Sequence, residues 1–175
     1  MISESNGGCS LEISGRGAAA WVYRELEAPL AETSGVLRWE WRRIEFPEGA
    51  DLERRSGDDS PLRVYVVFGR PTLLGPARAI FYSLATRPAP PRLSFESARI
   101  AVVPLTPGEL NVGPSYAAVD PFLDYRRFWA GEPDPITAVG VMLDTDATGD
   151  DASVELRALT WRASRLDSSS SEAGT

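Results

Sequence analysis

Leu37-Arg38-Trp39-Glu40-Trp41-Arg42 and, beyond a polar connection, Arg63-Val64-Tyr65-Val66-Val67-Phe68 decide the fold. Both runs alternate with a period of two. Leu37, Trp39 and Trp41 share one face, with Arg38, Glu40 and Arg42 on the other. Val64, Val66 and Phe68 likewise oppose Arg63, Tyr65 and Val67. Such alternation of bulky aromatic and β-branched residues reads as half-buried strands. We place both in the middle of a β-sandwich, with Trp39 and Trp41 in its core.

Working outward, Ser10–Ile13 reads as a short strand. Ala18–Leu26 reads as another, with Trp21, Tyr23 and Glu25 facing one way and Ala20, Val22, Arg24 and Leu26 the other. Between the two central runs, Glu45–Ser60 is an irregular connection, longer than a median loop and a natural seat for function. Arg78–Leu84, Phe95–Leu105, Ile136–Leu143 and Ser153–Trp161 complete about eight strands. One stretch breaks the pattern. Asp120 suits an N-cap, Pro121 the first helical position, and Phe122, Tyr125 and Trp129 recur at helical spacing. The expected architecture is an all-β antiparallel sandwich, a jelly roll, with one short helix near 120–129. Residues 1–9 read as a flexible N-terminus, 10–163 as a single domain, and the serine-rich 164–175 as a disordered tail.

Composition removes whole classes of chemistry. The chain has 175 residues, 43% of them hydrophobic, which suits one domain with a real core. Net charge is −7 and every basic residue is arginine. An acidic surface disfavours nucleic acid and anionic membranes, and no run is apolar enough for a membrane span. Histidine is absent, so no Ser-His or Cys-His pair exists. With Cys9 the single cysteine, a zinc or iron site of nitrogen and sulfur ligands is disfavoured, and oxygen ligands leave calcium or magnesium as candidate metals. The first residues carry no basic and apolar segments of a secretory signal.

Several landmarks resemble an uncharacterised bacterial family of jelly-roll domains, a domain of unknown function. They are Leu37-x-Trp39-x-Trp41, Gly57-Asp58-Asp59 with Arg63, Tyr65, Val66 and Phe68, Asp124-Tyr125, and Gly140-Val141-x-Leu143 followed by an acidic turn ending in Thr148-Gly149. That family is similar to galactose-binding-like sandwiches and carbohydrate-binding modules. The resemblance implies a sandwich that binds a carbohydrate or similar polar ligand. Family members are often exported, so localisation stays open. This chain departs from the pattern at Ala147, where the acidic turn usually carries Asn.

Three constellations could carry chemistry. Asp144, Asp146 and Asp150, with Gly149 and Glu155, mimic the spacing of a calcium loop, although hairpin-turn chemistry explains the same residues. Asp58, Asp59 and Arg63 could form a polar floor for sugar hydroxyls, or a structural ion pair before a strand. Trp21, Trp39, Trp41, Tyr65 and Trp129 include aromatics on which a sugar ring could stack, with Tyr65 the best placed for exposure. The two acidic turns each end a core strand and are expected to lie together, making Asp59 with Asp144 the carboxylate pair to examine. The sequence therefore reads as a noncatalytic domain with Asp58, Asp59, Arg63 and Tyr65 as ligand-binding residues and Asp144, Asp146 and Asp150 as calcium ligands. The competing readings are a structural or protein-interaction domain and, third, a glycoside hydrolase using paired carboxylates.

Overall fold

A computed structural model describes residues 2–5, 8–31, 34–70, 77–106 and 115–163; residues 164–175, expected to be a disordered tail, lie outside these. The strands are β1 (Ile2–Ser5), β2 (Gly8–Arg16), β3 (Ala19–Leu30), β4 (Gly35–Glu45), β5 (Ser60–Phe68), β6 (Arg78–Leu84), β7 (Arg92–Leu93), β8 (Ile100–Leu105), β9 (Ser115–Val119), β10 (Ile136–Asp144) and β11 (Asp151–Ala163). One helix, α1, spans Pro121–Phe128. No helix among the described residues is long and apolar enough to cross a membrane.

The strands form two sheets, one ordered β1-β2-β11-β4-β9 and the other β3-β10-β5-β6-β8-β7. Without β1, β7 and β8, the remaining strands run first-eighth-third-sixth in one sheet and second-seventh-fourth-fifth in the other. That is the order of a jelly roll. The quoted runs occupy the interior of each sheet: β4 lies between β11 and β9, and β5 between β10 and β6. The inward face of β4 meets the other sheet across the sandwich, with Trp39 5.9 Å from Tyr82 of β6 between ring centroids. Leu37, Trp39, Trp41, Val64, Val66 and Phe68 are all buried in one core.

Three expectations need correction. Phe95–Leu105 is not one strand: only Ile100–Leu105 pairs, preceded by the two-residue β7. Nor is every pair antiparallel, because β8 runs parallel to β6. The proline-rich link through Pro88, Pro90 and Pro91 carries the chain back to its starting end, which a parallel pair requires. Strand β9 was not foreseen; Ser-Tyr-Ala-Ala-Val has a weak strand signature, and only Ala117 in it is buried. In addition, Ile2–Ser5 pairs with β2, so strand structure begins inside the segment expected to be flexible.

Helix α1 closes one end of the sandwich. Asp120 Oδ1 accepts from the amides of Phe122 and Leu123, at 3.0 and 3.1 Å. Phe122 and Tyr125 pack on Phe68, and Phe122 also meets Trp161 of the opposite sheet. The helix is locked from the sheet side by the Tyr82 hydroxyl, which donates to buried Asp124 at 2.9 Å. The other end, where β5 begins and β10 stops, carries the acidic turns.

Candidate functional site

The acidic end is a latch between loops. Asp59 has no exposed surface. Its Oδ1 accepts from the Ala147 amide at 3.1 Å, and its Oδ2 from the Thr148 amide and hydroxyl, both at 2.7 Å. Asp150 extends the latch by accepting from the Gly49 amide at 2.9 Å. The turn is built for this: Gly149 adopts a positive φ of 77°, and its amide donates to the Thr145 carbonyl. The Ala147 departure therefore leaves the contact intact, since a backbone group makes it. As expected, the two turns lie together.

Arg63 is the second pin. Nη2 reaches Asp58 Oδ1 at 3.0 Å and Asp144 Oδ2 at 3.1 Å, and Nη1 donates to Ser83 Oγ at 2.9 Å. Arg92 holds the other Asp58 oxygen at 2.9 Å and donates from Nε to the Leu52 carbonyl. The ion pair thus uses Asp58, not Asp59. Asp144 Oδ1 and Arg63 Nε are buried without a partner. Burial, reinforced by Asp146, Asp59 and Asp58, pushes Asp144 up to about 6 despite the nearby Arg63.

This geometry recasts the expected polar floor. Arg63 and Asp59 lie beneath the surface, where they join the loop before β5 to the β10–β11 turn. Asp59, Asp144 and Asp146 offer oxygens within 4.8 Å of one another. Asp150, expected with Asp144 and Asp146, instead bonds the Gly49 amide, and Asp59 takes its place in the group. A cation there would share Asp144 with a guanidinium 3.1 Å away.

Further along the same sheet, the outward face turns aromatic. The register aligns Tyr23, Gly140, Tyr65 and Phe81 in one row across four strands, with Trp21, Met142, Arg63 and Ser83 in the next. Tyr65 stacks on Phe81 with centroids 4.8 Å apart. Its ring also lies over Gly140, where any Cβ would clash with it. Tyr65 is consequently only 8% exposed, a correction to its expected accessibility. The exposed aromatics of these two rows are Trp21 at 61% and Tyr23 at 56%. Together with Glu25, Tyr65, Arg70 and Thr137 they line a hollow of about 520 Å³. A second hollow, of about 410 Å³, shares Trp21 and Tyr65 and reaches Phe81 and Met142.

The aromatic set read from sequence contains Trp21 but neither Tyr23 nor Phe81. Alternation already put Trp21, Tyr23 and Glu25 on one face. What sequence could not supply was the position of β3 at a sheet edge, beside Gly140, where both rings stay open to solvent.

No curated protein matches the chain in sequence. The family described as "Protein of unknown function (DUF3047)" matches residues 1–160. With its sandwich fold, its jelly-roll strand order and that match over most of its length, the chain belongs to this family of unknown function.

Proposed function

We propose that this protein is a noncatalytic binding domain whose carbohydrate ligand lies on the outward face of the β3-containing sheet. The observation that carries this reading is the pair of exposed rings, Trp21 and Tyr23, beside a hollow floored by Tyr65 and rimmed by Glu25, Arg70 and Thr137. A pyranose presents apolar C–H faces and polar hydroxyl edges. Aromatic side chains supply large apolar surface, and a few convergent polar groups fix orientation. The hollow is of ordinary ligand-site size. Asp59 and Arg63 serve this site indirectly, by holding the sheet end from which it extends. The reading favours binding over hydrolysis because a general acid must touch its substrate, and Asp59 has no exposed surface.

The test is a glycan array followed by titration calorimetry of any hit. Trp21→Ala is expected to weaken binding at least tenfold, about 1.4 kcal/mol, while leaving the melting temperature nearly unchanged. Full affinity in that variant, or an array without hits, would remove the carbohydrate reading.

A further inference from the structure

Strand β3 is 12 residues long and forms one edge of its sheet. Among the described residues it pairs with β10 alone. Three consecutive large apolar side chains are exposed on it: Trp21 at 61%, Val22 at 62% and Tyr23 at 56%. Since alternate residues point to opposite faces, no single ligand on the outward face accounts for Val22. The run Ala18-Ala19-Ala20-Trp21-Val22-Tyr23 has no charge, proline or glycine. An apolar, strand-forming segment at an open edge is a template for another strand, and edges are normally shortened or charged to prevent this. At the opposite edge, β7 is only two residues long.

We propose that β3 pairs antiparallel with β3 of a second copy about a two-fold axis through Val22, joining the two β3-containing sheets into one. The sequence of the strand selects both partner and register. Residues directly opposite must share a face, so the axis passes through a residue position. Centred on Val22, the pairing sets Val22 against Val22 and Trp21 against Tyr23 on both sides of the axis. Arg24 then meets Ala20, and Glu25 meets Ala19. Centred on Tyr23, it would set Val22 against Arg24 and Trp21 against Glu25. Centred on Arg24, it would set two arginines opposite each other, which is repulsive. Centred on Trp21, it would set Tyr23 against Ala19 and Val22 against Ala20, leaving both large side chains opposite a methyl group. Only the Val22 register matches all three large apolar side chains among themselves, Val22 with Val22 and Trp21 with Tyr23. A closed two-fold pair also uses up the edge, so assembly stops at two. Each Trp21 then stands beside the other copy's Tyr23 on the outward face, so the two aromatic surfaces become continuous. The pairing is independent of the carbohydrate reading, because Val22 points to the other face.

Sedimentation equilibrium tests it. The wild-type chain is expected at twice the monomer mass at high micromolar concentration, and Val22→Arg at the monomer mass with an unchanged circular dichroism spectrum and melting temperature. In a Cys9→Ser background, Val22→Cys should cross-link to a disulfide dimer under mild oxidation, because directly opposed strand residues lie within disulfide reach. Arg24→Cys should not, as its counterpart would be about 13 Å away along the strand. A wild-type monomer at all concentrations would overturn the proposal, leaving the edge for a strand of a different protein. A dimer that survives Val22→Arg would place the contact elsewhere, and cross-linking through Arg24→Cys alone would refute the register.

Discussion

The two outward faces of the sandwich obey different rules. On the five-stranded sheet, Arg42 stands opposite Glu155 and Glu40 opposite Arg157. Arg157 Nε donates to Glu155 Oε1 at 2.7 Å, and this bond, with help from Ser10 and Arg42, holds the Glu155 carboxyl below its usual range. This is an ordinary wet face, whose charges keep the sheet soluble. On the six-stranded sheet the equivalent positions carry Trp21, Tyr23, Tyr65, Phe81 and Met142. Glu25 and Arg70 stand at the rim of that field, and Arg63 within it is drawn in among Asp58, Asp144 and Ser83. A solvent-facing surface gains nothing in solubility from aromatic rings. Where one face of a molecule carries cross-strand charge pairs and the other a contiguous aromatic surface, the aromatic one is where contacts with something else are made.

The largest test of this contrast replaces one arginine on each face. Arg63→Met should cost about 3–5 kcal/mol, because it strands Asp144 in a buried site and leaves Asp58 with Arg92 alone. Arg157→Met, on the charged face, should cost about 0.5 kcal/mol, as exposed pairs contribute little. Urea unfolding at neutral pH measures both, and equal costs would erase the distinction between the faces. Next in size is Gly140→Ala. A methyl group there meets the Tyr65 ring, so an overpacking cost of about 1–3 kcal/mol is expected, with a rearranged aromatic row. Pairing it with Tyr65→Ala, which removes the clash, should recover most of the loss if the ring is the cause.

A further effect, of the order of the smaller of these, is one of pH. Asp144 titrates near 6 in the folded chain against an ordinary value of 3.8, so the native state holds this proton more tightly than the unfolded one. Its stabilising contribution is full below the unfolded value and is lost as pH rises through 6. Lowering the pH from 7 to 5 should therefore stabilise the protein by roughly 1 kcal/mol through this group. Asp124, also raised by burial, acts in the same direction. Asp144→Asn isolates this group: it should flatten the pH dependence in that window, and an unaltered slope would count against the assignment.

The core was legible in the sequence because period-two alternation and burial are the same fact seen twice. Leu37, Trp39 and Trp41 announce their face by their spacing, and Asp120-Pro121 announces the helix by its chemistry. Strand β9 was not legible, because alanines carry almost no pattern and its place depends on the hydrogen-bonding edge that β4 offers. The latch was half legible. Two acidic turns at strand ends suggested proximity, yet no local signal distinguishes Asp59, which accepts from amides, from Asp58, which accepts from arginines. Tyr65 was misjudged because alternation reports which face a side chain takes, while its cover comes from Phe81 and from the missing side chain at Gly140.

The Asp59 latch also bears on the order of events in folding. Asp59 and Thr148 are 89 residues apart in the chain. Their contact closes a long loop, and it is expected to form only once β10 has found its place beside β5. We expect it to be a finishing bond, absent from an early nucleus. Loosening it should leave the rate of folding nearly untouched and hasten unfolding instead, so the latch governs how long the folded molecule lasts more than how quickly it is made.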